Sequence, residues 1–253
     1  MNDYRKFSEL LCQSRYAVAL TGAGISVESG IPDFRSSAGL WSRYDPNEYA
    51  YIESFRANPG KIWKMLAEMD KLLASVRPNT AHVVLSELEK LGIMKTVVTQ
   101  NVDSLHQRAG SVNVVEFHGH FRSLHCDTCL NMRMREEIEM DSLPPLCSCG
   151  GALRPDIVFF GEGIPHPAYA KAIEAAQRCD LMLIIGTSAS VAPASQLPLI
   201  AKRAGAHLLE INTVDTELSN GITDLHIRGP AGVVLGKIFE FVNDVRSQSE
   251  EWN

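Results

Sequence analysis

Tyr16-Ala17-Val18-Ala19-Leu20 runs straight into Thr21-Gly22-Ala23-Gly24-Ile25-Ser26 and then into Gly30-Ile31-Pro32-Asp33-Phe34-Arg35. The apolar run has the length and composition of a buried strand, and it empties into a glycine turn. Without side chains at Gly22 and Gly24 the backbone is free to take a positive φ and a phosphate can approach its N–H groups. A helix opening after the turn would aim its N-terminal dipole at that charge. The same turn would need glycine for close packing alone, and the third glycine of the dinucleotide spacing is missing. The second half adds weight to a phosphate-bearing cofactor, because Pro32-Asp33-Phe34-Arg35 sets a carboxylate, an aromatic ring and a guanidinium just beyond the turn.

Outward from this stretch, apolar segments alternate with amphipathic ones. Met94–Thr99, Asn113–Phe117, Ile157–Phe160, Leu181–Ile185, Leu208–Ile211 and Leu225–Ile227 read as further strands, apolar on both faces as a buried parallel sheet requires. Asn79 to Leu91 reads as a capped helix with Val84, Leu85, Leu88 and Leu91 inward and Gly92 as its stop; Phe7, Leu10 and Leu11 mark one face of another. The pattern predicts an α/β fold built on a doubly wound parallel sheet. Ligands on such sheets gather outside the carboxyl ends of the strands, which here carry Thr21-Gly22, Thr99-Gln100-Asn101-Val102-Asp103, His118-Gly119, Gly186-Thr187-Ser188 and Asn212. Two stretches interrupt the alternation. Residues 36–77 hold Trp41, Tyr44, Tyr49, Tyr51, Phe55 and Trp63, and residues 120–154 hold four of the six cysteines. Both read as insertions that pack together as a smaller domain, leaving 1–35, 78–119 and 155–253 to the sheet domain.

With 253 residues, 45% of them hydrophobic and 21% charged, the chain can bury a full core. No apolar run approaches the roughly 18 residues of a membrane span, and Met1 to Lys6 lack the apolar segment of a signal peptide. An intracellular, cytoplasmic protein without membrane contact is expected. A net charge of −6 argues against a dedicated nucleic-acid surface, which needs clustered Lys and Arg.

Cys126-x2-Cys129 and Cys147-x-Cys149 stand 17 residues apart and are followed by Gly150-Gly151. Four thiolates at this spacing suit tetrahedral zinc on a short ribbon and leave no open coordination position, so the metal is expected to be structural. The second pair is tight, and His120 or His125 stands as an alternative ligand. Cys12 and Cys179, each alone, read as small buried hydrophobes.

These motifs, together with Phe117-His118-Gly119 and Arg154-Pro155-Asp156-Ile157-Val158-Phe159-Phe160-Gly161-Glu162, resemble in this order the sirtuin family of NAD-dependent protein deacylases over nearly the whole chain. The resemblance implies an atypical Rossmann-like domain that binds NAD, with the zinc ribbon and the helical insertion forming the small domain over its cleft. It also implies the chemistry. The acyl-lysine carbonyl oxygen attacks the anomeric carbon of the nicotinamide ribose, nicotinamide leaves, and the O-alkylimidate is resolved by water with the acyl group passing to ADP-ribose. His118 would be the base that activates a ribose hydroxyl, a task suited to an imidazole of ordinary pKa about 6.5. Asn101 and Asp103, with Val102 between them, would hold the nicotinamide carboxamide, and Gln100 would reach the ribose.

By the same resemblance, Gly22, Ala23, Gly24, Ile25 and Ser26 and the Gly186-Thr187-Ser188 turn would hold phosphates and riboses. Arg35 would add positive charge and Phe34 shield the reactive face, with Pro32, Asp33 and Trp41 along the cleft. Asn212, Thr213 and Ala231 fall to the adenosine side. Val158, Phe159, Gly161 and Glu162 resemble the segment that pairs with an extended acyl-lysine peptide as an added strand. Family members that prefer succinyl or malonyl lysine carry a tyrosine and an arginine on the helix of the first insertion. Leu66 and Met69 occupy those places here, with no Tyr or Arg between Ala57 and Val76, so neutral acyl groups are expected. Two other functions would use the same residues. A mono-ADP-ribosyltransferase would pass ADP-ribose to a protein side chain, and an NAD-sensing protein would catalyse nothing; the presence of His118 with Asn101 and Asp103 counts against the latter.

Overall fold

The computed structural model describes residues 3–33, 39 and 42–250. β1 (Ala17–Thr21) is buried at every position, with Ala17 and Ala19 turned to one core and Val18 and Leu20 to another. A strand apolar on both faces is stable only between two layers of helices. It lies inside a six-stranded parallel sheet of order β3 (Val114–Glu116), β2 (Met94–Thr99), β1, β7 (Leu181–Ile185), β8 (His207–Asn212) and β9 (Leu225–Arg228). α1 (Asp3–Gln13), α5 (Thr80–Lys90) and α9 (Ala231–Glu250) close the first core; α7 (His166–Arg178) and α8 (Gln196–Arg203) close the second.

α5 shows how local sequence sets these boundaries. The Asn79 side chain accepts the Ala81 N–H at 2.9 Å and His82 Nδ1 accepts the Asn79 N–H at 3.3 Å, a reciprocal cap of about 1 kcal/mol. Leu85 and Leu88 are fully buried, each contributing roughly 1.5–3 kcal/mol, whereas Leu91 is only partly covered. Gly92 ends the helix at φ +73.

Ile157–Phe160, expected as a strand of the parallel sheet, is not one. β6 (Leu153–Ile157) pairs antiparallel with β4 (Gly119–Cys126), which also takes β5 (Met132–Met134), in a separate three-stranded sheet. The run is apolar because Phe159 fills the core beneath that small sheet; Phe160, the end of the expected strand, is 41% exposed and packs on Tyr51. The chain crosses between the two sheets at Gly119 and again at Ile157–Val158. At Gly119, φ +77, a Cβ would stand 1.9 Å from the Asp156 carbonyl oxygen, so only glycine lets the crossings touch.

The two insertions share one core. Ile52 and Phe55 of α3 (Ile52–Ala57) and Ile62, Trp63 and Leu66 of α4 (Pro59–Ser75) pack against Phe121, Leu124 and Leu153. Trp63 Nε1 donates to the Leu153 carbonyl at 2.7 Å, tying α4 to the ribbon. Of the two isolated thiols, Cys179 is buried and pushed up to about 12 by that burial, while Cys12 is only half-buried. Among the described residues no helix is long and apolar enough to cross a membrane.

Candidate active site and metal centre

The sheet order reverses between β1 and β7, and the turns at the ends of these two strands interlock. Gly22 N–H donates to the Ile185 carbonyl at 3.1 Å and Gly24 N–H to the Gly186 carbonyl at 2.8 Å. A Cβ on Gly24 would stand 2.6 Å from Gly186 Cα, so close packing of the turns requires the glycine. Neither turn glycine uses the left-handed freedom expected of it: Gly22 is extended at φ −130, and the positive φ falls on Gly186 at +58. The segment that follows is a seven-residue 3₁₀ helix, Ala23–Ser29, and not the α-helix whose dipole the sequence reading invoked.

Polar side chains from four strand ends meet at this point. Gln100 Nε2 donates to Thr187 Oγ1 at 2.9 Å, and Asn212 Nδ2 donates to the Thr187 carbonyl at 3.1 Å. Asn101 Nδ2 donates to the Gly22 carbonyl at 3.1 Å and to Ser26 Oγ at 3.2 Å; Ser26 Oγ donates to Asp103 Oδ2 at 2.6 Å. The Leu105 N–H donates to Asp103 Oδ1 at 2.9 Å. Burial raises the Asp103 carboxyl above its ordinary value, against the hydrogen bonds from Ser26 and Leu105 that lower it.

His118 stands where β3 passes into β4. Its Nδ1 lies 3.0 Å from the Gln100 carbonyl, and because a carbonyl only accepts, that nitrogen carries the proton. Nε2 then keeps its lone pair in the neutral ring. Burial lowers the His118 pKa, which the Gln100 carbonyl partly offsets, so the ring is a neutral base near pH 7.

Other expected site residues are dispersed. Ile25 is fully buried in the first core and offers only backbone; Ala23, Pro32 and Asp33 are half-buried, Ser188 and Thr213 exposed, and Ala231 buried at the start of α9. Phe34, Arg35 and Trp41 lie outside the described residues. Val158 is half-buried and gives its N–H to the His118 carbonyl at 2.9 Å; Gly161 is exposed. Phe159 points its ring inward, and the Glu162 carboxylate is already held by buried Arg154, at 2.9 and 3.0 Å, and by the Phe159 N–H at 3.0 Å. These two side chains therefore hold the loop together from inside. Leu66 is fully buried in the small core, with Met69 and Val102 packed against it. A cavity of about 610 Å³ opens between β3, α7 and the small sheet, lined by Glu116, His120, Asp156 and Lys171 among others, but His118, Asn101 and Asp103 do not line it. The arc at the strand ends is the candidate active site.

The sulfur atoms of Cys126, Cys129, Cys147 and Cys149 all lie within 4.8 Å of one another, with Cys126–Cys149 at 3.5 Å and Cys129–Cys147 at 3.6 Å. A tetrahedral zinc with bonds near 2.3 Å sets its sulfurs about 3.8 Å apart, so the four thiols fit one such ion. The Cys129 N–H holds the Cys126 thiol low, and the Cys149 N–H draws Cys147 down to about 6. His125 instead pairs with Asp156 and Asp127, and His120 faces Glu116; neither joins the cluster. Purified protein is expected to carry about one zinc per chain, and chelation to lower its melting temperature and open residues 120–154 to protease, since the segment is too small to build its own core. Unchanged melting and proteolysis after verified metal loss would refute a structural role.

Sequence reading missed a buried imidazole pair under the site. His106 of α6 (Leu105–Arg108) has Nε2 3.0 Å from Thr21 Oγ1, and its ring centroid lies 4.9 Å from that of His82. A lone His in a helix gives no signal of such a partner. Burial lowers His82 to about 4 and His106 well below 6.5. The unfolded chain takes up these protons near pH 6.5, whereas in the folded chain His82 takes its proton up only near 4 and His106 well below 6.5, so stability is full above 6.5 and falls as pH drops below it. His82 alone accounts for roughly 3 kcal/mol. Urea midpoints at pH 7, 5.5 and 4 should fall accordingly, and less steeply in His82→Gln.

The fold is that of a nucleotide-binding α/β protein. Within that class the chain belongs to the Sir2 family, whose model matches residues 22–193. It is 45% identical over 253 residues to NAD-dependent protein deacylase 2 of Archaeoglobus fulgidus, covering 98% of this chain and 99% of that protein. A Sir2 homologue solved with ADP-ribose superposes with a TM-score of 0.92 at 42% identity, over 98% of both chains. A Sir2 variant solved with deacetylated p53 peptide and 3′-O-acetyl-ADP-ribose gives 0.86 at 37% identity, over 93% of this chain and 97% of that one.

Proposed function

We propose that the protein is an NAD-dependent protein-lysine deacylase that moves an acetyl or other neutral acyl group onto ADP-ribose and releases nicotinamide. The observation that carries this reading is the placing of a neutral imidazole, His118, beside the Asn101–Ser26–Asp103 network at the switch point of the sheet. NAD, as co-substrate, supplies an activated ribose carbon and a nicotinamide leaving group. The Asn101 amide and Asp103 carboxyl, already held by Ser26 and Leu105, would fix the carboxamide without paying further ordering entropy. His118 Nε2 would take the proton of a ribose hydroxyl. The Gly22–Ser26 and Gly186–Ser188 turns would lie along the diphosphate, and Asn212 with Ala231 at the adenosine end.

An acyl-lysine peptide would enter as an added strand beside Val158–Gly161, read through main-chain bonds. Residues 36–77 and 120–154 form the covering module, with zinc at the four cysteines as a structural ion. Cysteines that hold a metal and form no disulfide suit a reducing, cytoplasmic setting. The test is incubation with NAD and a panel of acyl-lysine peptides, with mass spectrometry of both products. Nicotinamide release that requires the acylated peptide, with acyl-ADP-ribose formed, supports the reading; ADP-ribosylated protein without deacylation would instead favour a mono-ADP-ribosyltransferase.

A further inference from the structure

Pairing between β4 and β6 jumps from His120 opposite Asp156 to Leu124 opposite Pro155, so Phe121, Arg122 and Ser123 have no register partner on β6. Such a bulge bends the strand and re-aims a side chain. Phe121 turns into the small core, Ser123 donates its hydroxyl to the Asp156 carboxylate at the cavity, and Arg122 turns out to Glu116 and Ser104 on the parallel-sheet side. Its Nη1 and Nη2 donate to the two oxygens of Glu116 at 2.5 and 2.6 Å, and Nη1 also donates to Ser104 Oγ at 2.5 Å. Glu116 ends β3, two residues before His118, and its side chain is 15% exposed. Ser104 follows Asp103 directly and sits in the left-handed region at φ +56, a conformation that costs a non-glycine residue energy and persists only when its surroundings enforce it.

We propose that Arg122 is a positioning residue that pins the Asn101–Asp103 loop to the strand carrying His118, and so sets how tightly the nicotinamide ring is held. The proposal rests on the reading of Asn101 and Asp103 as the nicotinamide groups. Asp103 is fixed from within by Ser26 and Leu105, but the strained residue that follows it has its hydroxyl held from the small sheet, by Arg122. A planar guanidinium spans a carboxylate and a hydroxyl at once; a lysine ammonium, with its point charge, does not reproduce that fork. The same clamp joins the two sheets across the Gly119 crossing, since Arg122 belongs to β4 while Ser104 and Glu116 belong to the parallel-sheet side.

The test measures the nicotinamide inhibition constant and the KM of the acyl peptide in Arg122→Ala, Arg122→Lys, Ser104→Ala and Asp103→Asn. Arg122→Ala is expected to raise the nicotinamide constant by roughly tenfold to a hundredfold, the scale of a small misplacement of a binding group. The peptide KM should move less than threefold, and Arg122→Lys should recover only part of the loss. Ser104→Ala keeps the ion pair, removes the hydroxyl and should share the rise, so it carries the test if Arg122→Ala does not fold. A nicotinamide constant within twofold of the parent in the folded variants overturns the clamp, as does an equal change in the peptide KM, which marks a merely structural residue. If Asp103→Asn is also at the parental value, the nicotinamide reading falls and the clamp with it; an impaired Asp103→Asn beside a parental Arg122→Ala removes the clamp alone.

Discussion

Replacement of His118 by alanine is expected to lower turnover by roughly 10²–10⁴-fold while leaving NAD and peptide affinity within about threefold. The separation follows from how the ring is held. Among the described residues its ring makes one hydrogen bond, from Nδ1 to the Gln100 carbonyl, while Gln100 keeps its own side-chain bond to Thr187 and Asn101 its bonds to Gly22 and Ser26. Removing the ring therefore takes away a proton acceptor and leaves the cofactor wall in place. The pH profile gives a second readout. His118 acts in its neutral form, and burial puts its pKa below 6.5, so kcat/KM should hold at pH 6.5–7 and fall on further acidification as the ring takes up its proton. The alanine variant should lose that limb. Steady-state kinetics against both substrates, with nicotinamide release followed directly, decide the matter; near-parental turnover would remove His118 from the mechanism.

The sheet was legible because its strands declare themselves. Ala17–Leu20 and Leu181–Ile185 are apolar at consecutive positions, and only a two-sided burial makes that pattern stable. Ile157–Phe160 has the same pattern for another reason: Phe159 fills a different core and Phe160 covers Tyr51, and nothing local distinguishes one core from another. The four cysteines were legible as a metal centre because ligation requires particular atoms at close spacing. The turn glycines show the limit of such reasoning. Their need was visible in the sequence, but its cause, the contact of the Gly24 and Gly186 backbones, joins residues far apart in the chain. Arg122 was invisible for the same reason. Its side chain is aimed by a register shift against β6, and an isolated Arg between Phe121 and Ser123 reads as an ordinary exposed position on a strand.

Succinyl-lysine is expected to be used at least 10²-fold less well than acetyl-lysine in the same peptide. The argument starts from α4, which carries no Tyr or Arg, and from the charges around it. Lys61 is bound to Glu48 at 2.7 Å, and Lys64 and Lys71 are exposed, so none of the three lysines faces the apolar side of the helix. Arg135 is held by Asp70 at 2.6 Å, Arg43 by Glu68 at 3.2 Å, and Arg108 donates to the carbonyls of Leu73 and Val76. The cations that the described residues bring to α4 are thus committed or solvated, and the apolar surface left between them is that of half-buried Met69 and Val102, which cover the core holding the fully buried Leu66. An acyl chain ending in a carboxylate would bury that charge without a partner, at a cost of several kcal/mol, on the order of 10²-fold or more in kcat/KM. A methyl or propyl terminus meets no such penalty, and each added buried methylene contributes about 0.8 kcal/mol until the space is filled. Butyryl-lysine should therefore be used at least as well as acetyl-lysine, with succinyl-lysine far behind both. Introducing Met69→Arg should narrow the gap by supplying a guanidinium on the inward face. Comparison of kcat/KM for the three acyl groups in one peptide sequence settles the point, and a succinyl peptide used as well as the acetyl one would show that a cation reaches the acyl chain from elsewhere.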